Sequence, residues 1–266
     1  MNRFNLKYQL TGVFIFVLMA LQSKADNAPI TTASVQTSCP GAAITIPLTV
    51  TGFTNIGGIS LRILYNPAIM SFNASTTTSN EAINGAAFNS VTVNDTTSAI
   101  LISWQTSPSP PNLNLVNLPD NSVLFSIGFN YINGNTSFSF DNTNNSGHSC
   151  EYSTIIAVPP PEYFYVQALN DIPTSTYYHD GQVSLPPGPR TWTGNVSTDW
   201  ANSNNWNPCG VPSITDDIIV PAEPSNKPVV TTNGFSCHNV LVKSGATLKI
   251  NTGVILTITG KCTLEP

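Results

Sequence analysis

Four carboxylates, Glu151, Glu162, Asp171 and Asp180, follow one another along the middle of this 266-residue chain. Two carboxyl groups facing each other across a cleft are what glycoside hydrolysis requires, one to protonate the leaving oxygen and one to attack or to activate water. Isolated acids in loops between strands are ordinarily just solvated, and nothing in the spacing pairs any two of these. The histidines, His148, His179 and His238, lie far apart, with neither a Gly-x-Ser-x-Gly turn nor a phosphate-cradling glycine loop beside them. His179 and Asp180 suit a turn ahead of the strand "GQVSL". No catalytic residue is assigned, and the chain is expected not to be an enzyme.

Metal chemistry has a similar standing. Cys209, Cys237, His238 and Cys262 are of zinc-ligand types, but no Cys-x-x-Cys spacing joins them, and adjacent Cys237 and His238 point to opposite faces of an extended chain. The adjacent acids Asp216 and Asp217 are separated by the same alternation and are poorly placed to chelate calcium together. Neither a metal nor a cofactor is expected. The remaining candidate is aromatic: Trp192, Trp200 and Trp206 crowd into "TWTGNVSTDWANSNNWNPCG". Coplanar and exposed, they would stack on sugars; buried, they would form the core of a unit with few other bulky groups. Burial is the expectation, since indoles bury large areas and exposed aromatic clusters are uncommon.

The elements that must position these residues are strands. "AITIPLTV" puts Ile44, Ile46, Leu48 and Val50 on one face. "ISLRILY" does the same with Ile59, Leu61, Ile63 and Tyr65, and "VLFSIGFNY" with Val123, Phe125, Ile127, Phe129 and Tyr131. Shorter segments repeat the pattern between turn formers such as "TNIGG" and "NTNNSG", and no amphipathic helix is evident. The fold class is therefore all-β, an antiparallel β-sandwich over residues 26–187. "SLPPGPRT" is a stiff connector, and residues 188–266 form a second, Trp-rich unit. There Val240/Val242, Leu248/Ile250 and Leu256/Ile258 recur every eight residues, as in a short β-solenoid, an ordinary meander being the alternative.

Residues 1–25 carry Arg3 and Lys7, then "LTGVFIFVLMAL", then "SKA", which is an export signal cleaved after Ala25 and too short to span a bilayer. The mature chain is expected outside the cell or at its surface, with no membrane insertion. Cleavage removes Arg3, Lys7 and Lys24, leaving six basic residues against fourteen acidic ones, a net charge of −8. Arg62 is the one basic residue between Asp26 and Pro187, which excludes a nucleic-acid partner. Charged residues are 9% of the chain against ~25% in an average domain, so uncharged polar groups must carry its solubility. Export makes disulfides the default, and one pair per unit gives Cys39–Cys150 and Cys209–Cys237, with Cys262 left over.

"GISLRILYNPAIMSF", "LFSIGFNYINGNTSFSF" and "DGQVSL" resemble, in order and spacing, segments of cohesin domains, over about residues 35 to 187. That resemblance implies a nine-stranded β-sandwich, related to carbohydrate-binding modules, that docks a dockerin partner through one sheet face or serves in adhesive surface proteins. It carries over no binding residue. "TWTGNVSTDWANSNNWNPCGVPSITDDIIVP" with "CHNVLVKSGATLKINTG" resembles a module of repetitive bacterial surface proteins that leads into a β-helix. Such proteins often end in a sorting domain not present here, leaving open whether the chain continues beyond Pro266. Three roles stand: a docking module for a dockerin-like protein, with a link to polysaccharide breakdown or adhesion; a polysaccharide-binding module; or an adhesin spacer.

Overall fold

A computed structural model describes residues 26–109, 112–142, 150–158 and 163–266; residues 1–25, expected to be an export signal, and His148 and Glu162 lie outside the described residues. The chain is all-β. Its first part runs through β1 (Ile30–Ala33), β2 (Val35–Thr37), β3 (Ala43–Thr51), β4 (Gly58–Tyr65), β5 (Met70–Phe72), β6 (Thr78–Ser79), β7 (Ala87–Asn94), β8 (Thr97–Gln105), β9 (Ser122–Tyr131), β10 (Thr136–Phe140), β11 (Glu151–Val158), β12 (Tyr163–Ala168), β13 (Tyr178–His179) and β14 (Gly181–Ser184). One sheet has the order β13-β1-β3-β9-β5, with β6 also on β9. The other runs β12-β11-β4-β10-β14-β2, with β8 along the second edge of β4 and β7 outside β8.

The alternation dictates how the two sheets meet. Ile46, Leu48 and Val50 of β3 and Phe125, Ile127 and Phe129 of β9 are fully or almost fully buried against Ile59, Leu61, Ile63 and Tyr65 of β4. Phe129 sits at the centre, edge-on to Tyr65, Phe72 and Phe138 at centroid distances of 5.1, 6.1 and 5.5 Å, the geometry that aromatic quadrupoles favour. Pro47, in the middle of β3, lies one step past the end of β1's pairing, so its missing N–H breaks no bond to β1. Gly128 on β9 is required by a close approach: a Cβ there would lie 2.6 Å from the Asn73 carbonyl oxygen.

The second part comprises β15 (Arg190–Trp192), β16 (Trp206–Asn207), β17 (Ile218–Val220), β18 (Val229–Val230), β19 (Phe235–Cys237), β20 (Val240–Val242), β21 (Lys249–Ile250), β22 (Leu256–Ile258) and β23 (Cys262–Leu264). Apart from the antiparallel β15–β16 pair, the pairing is parallel. β17, β20 and β23 form one ladder with β15, while β18 pairs with β21 and β19 with β22. Ile218 lies over Val240, and Val240 over Cys262, so one coil takes 22 residues and has three sides. The eight-residue spacing read from the sequence is therefore the step from one side of a coil to the next; β20, β21 and β22 each pair with a strand one coil away. Side chains follow the same offset: Asn239 accepts from the Lys261 N–H and donates to Asp217, and Lys243 pairs with Glu265.

The tryptophans close the first coil. Trp192, Trp200 and Trp206 are 1%, 0% and 3% exposed and pack with Ile218, Val220, Val230 and Val240. Trp206 lies edge-on to both others, at 5.0 and 4.7 Å. Asn205 holds the segment around them: buried, it accepts from the Val196 and Ser197 N–H groups and donates to Ser197 Oγ and the Asp199 carbonyl. All four of its hydrogen bonds are made, as burial of an amide demands. The last coil leaves Ile250, Ile255 and Leu264 exposed.

The expected disulfides are replaced by a different one. Cys39 bonds Cys209, with S–S 1.94 Å and Cα–Cα 5.5 Å, tying the sandwich to the second unit; Cys150, Cys237 and Cys262 are free. Cys150 is not available to Cys39 because it immediately precedes β11 and is packed against β4, its sulfur 3.5 Å from both the Arg62 N–H and the Arg62 carbonyl. Cys237 points into the coil interior, fully buried. Burial pushes the Cys150 thiol up to about 12 and the Cys237 thiol up to about 11. At about pH 8 the folded chain is therefore expected to react with a maleimide at Cys262 alone, with Cys150 and Cys237 reacting only on unfolding. Rapid labelling of all three in the native chain would contradict this packing. The protonated thiols also favour the folded state below the ordinary thiol pKa, and that contribution is lost as pH rises towards about 12.

Candidate interaction face

Because Ile59, Leu61, Ile63 and Tyr65 of β4 face the core, Ser60, Arg62 and Leu64 face away from it. Register carries this face across two further strands. Ser60 lies opposite Ser103 of β8, which lies opposite Ala87 of β7; Arg62 leads likewise to Leu101 and Asn89, and Leu64 to Ala99 and Val91. Val93, at the irregularity where the β7–β8 register shifts, is 41% exposed. Leu64, Val91 and Leu101 are half-buried, the state of apolar side chains lying on a sheet surface. A shallow hollow of about 270 Å³ adjoins the face, lined by Leu64, Asn66, Thr97, Thr136 and Ser139 among others.

One ion pair on this face is internally neutralised. Arg62 Nε donates to Asp141 Oδ2 at 2.9 Å, with both side chains largely covered. Glu151, opposite Ser60 on β11, is exposed. Three rows of small and branched uncharged side chains around one neutralised ion pair can desolvate against another surface at little cost.

Comparison with known proteins bears on both parts of the chain. A family model described as "Domain of unknown function (DUF8693)" matches residues 191–266. No curated protein sequence matches. Among solved structures, the chain is similar to a type I cohesin–dockerin complex from Clostridium thermocellum, at 13% identity over 60% of this chain and 100% of that one, TM-score 0.40. It is also similar to a type III cohesin from a cell-surface anchoring scaffoldin of Ruminococcus flavefaciens (11% identity, 61% and 90% covered, TM-score 0.41). A third is a non-cellulosomal cohesin from the archaeon Archaeoglobus fulgidus (11%, 60% and 91%, TM-score 0.37).

The residues singled out for chemistry are mostly committed to structure. Asp180 Oδ1 accepts from the Phe140 N–H at 2.8 Å, and Asp171 Oδ2 from the Tyr178 hydroxyl at 3.2 Å. His179 contacts Thr32 Oγ1 at the end of β1. Asp216 and Asp217 diverge, as alternation requires. Asp216 takes the Ser213 N–H and hydroxyl and faces Arg190, while Asp217 accepts from Asn239 and lies 2.9 Å from His238 Nδ1, which holds its carboxyl below the usual range. Cys209, being bonded to Cys39, is lost to any zinc set with Cys237, His238 and Cys262.

Arg190 had no mark in the sequence and proves central. Its guanidinium, 4% exposed, donates to the carbonyls of Pro208 and Cys209 at 3.0 and 2.6 Å and lies 3.2 Å from Asp216 Oδ2. Leu185, packed on the sandwich core, also touches this junction, since a Cβ on Gly210 would meet its methyls at 3.0 Å.

Proposed function

We propose that residues 26–187 form a non-catalytic, cohesin-like docking module of an exported scaffolding or surface protein. In this reading the face of β4, β8 and β7 receives a dockerin-like protein partner, and residues 188–266 form the solenoid-like unit that follows it. The observation that carries the reading is the outward position of Leu64, Val91 and Leu101 on one continuous face, where a purely solvated sheet would alternate to polar groups. Commitment of Asp171 and Asp180 to internal hydrogen bonds supports a role without catalysis. The Cys39–Cys209 bond fits an oxidising compartment, and among the described residues no helix is long and apolar enough to cross a membrane. The net negative charge favours a basic or calcium-loaded partner over an acidic polymer.

Polysaccharide binding is the reading to be separated from this one, and the three clustered tryptophans cannot serve it because they are buried. The full chain, immobilised and exposed to the producing cell's secretome, is expected to retain a protein saturably, and the free chain to wash off cellulose, xylan and chitin. Retention on a polysaccharide with no protein captured would replace docking by sugar binding. Hydrolysis of a polysaccharide, lost on changing one carboxylate, would overturn both.

A further inference from the structure

The Cys39–Cys209 bond joins two points that are 170 residues apart in sequence and 5.5 Å apart in space. Its position matters more than its presence. Cys39 comes just after β2, so almost the whole sandwich, from β3 to β14, lies inside the covalent loop. Cys209 lies between β16 and β17, so β17 to β23 lie outside the loop while β15, β16 and the three tryptophans lie inside it. Arg190 reinforces the same spot, holding the Pro208 and Cys209 carbonyls.

From this connectivity we infer that the bond is a mechanical bypass: tension entering upstream of Cys39 and leaving downstream of Cys209 passes through sulfur and leaves residues 40–208 unloaded. A pulled chain transmits force along its shortest covalent path, and here that path omits the loop. Within the sandwich only β1 and β2 lie on the loaded covalent path. β1 is held against the load by antiparallel pairing to β3 and parallel pairing to β13, with Thr31 buried and hydrogen-bonded to the Tyr152 hydroxyl at 2.7 Å. The face of β4, β8 and β7 lies wholly within the unloaded loop, so a sandwich of this design keeps that surface intact while the chain is under tension. The inference concerns load and stands whether or not the face binds a dockerin-like partner.

Single-molecule pulling on the full chain, attached at Asp26 and Pro266, tests it. At about 3.5 Å per residue, the 170 residues of the loop hide roughly 600 Å of chain. The oxidised protein is expected to release only the residues outside the loop, roughly 250 Å in all. Adding reductant to the folded protein is expected to lengthen the release by roughly 600 Å. Cys39→Ala with Cys209→Ala should show the long release without reductant; should that variant fail to fold, reduction of the native chain gives the same reading. Equal release with and without reductant would overturn the bypass.

Discussion

Trp200→Ala is expected to cost about 3–5 kcal/mol and to unfold the second unit selectively. Trp200 is fully buried, lies edge-on to Trp206 at 4.7 Å, and its carbonyl takes the Trp206 indole N–H at 3.0 Å. Deleting the indole opens a cavity at the closed end of the coils, where few other large side chains can move in to fill it. The sandwich has its own core and should survive, so denaturation followed by near-ultraviolet circular dichroism should separate into two transitions, the earlier one lost from residues 190–266. Trp200→Phe is the informative partner. The Trp200 indole N–H has no hydrogen-bond partner among the described residues, so phenylalanine keeps a ring and gives up no bond. Its cost should be well below that of alanine. Equal effects of the two substitutions would mean that the cluster is not the packed cap described above.

What could be read from the sequence follows from how local each signal is. Ile59, Leu61, Ile63 and Tyr65 face the core as their spacing says, because a strand's period of two is fixed by its backbone. The proposed face left only a trace in the same segments, apolar residues of the opposite parity: Leu64 in "ISLRILY" and Leu101 in "AILISW". It takes strand register to bring those two next to each other. The disulfide is the opposite case. Pairing cysteines within units assumes that each unit keeps to itself, whereas the bond depends on how the two units dock, which no local pattern encodes. The coil period was hidden because three short sides of similar length give a stronger local rhythm than the 22-residue return. Asn205 and Arg190 were silent for a chemical reason. Asn is abundant in exposed turns here, and an arginine beside a proline-rich connector reads as solvated until its carbonyl partners are known.

Leu101→Glu tests directly whether the outward face of β4, β8 and β7 docks a protein. Leu101 sits in the middle row of the face between Arg62 and Asn89 and is only half-buried, so the folded chain can hydrate a carboxylate there. Inside an interface that carboxylate would be stripped of water where the native chain presents an apolar side chain, and Arg62 on the same face is already paired with Asp141. Val123→Glu places the same charge on β9 of the other sheet, where Val123 is 42% exposed. Titration calorimetry of the secretome protein captured by the wild-type chain, run against both variants, is the decisive measurement. The expected result is a loss of about 30-fold or more for Leu101→Glu, the ~2 kcal/mol that marks a central contact residue, with Val123→Glu binding as the wild type does. Unchanged binding by Leu101→Glu, or a loss confined to Val123→Glu, would contradict the account.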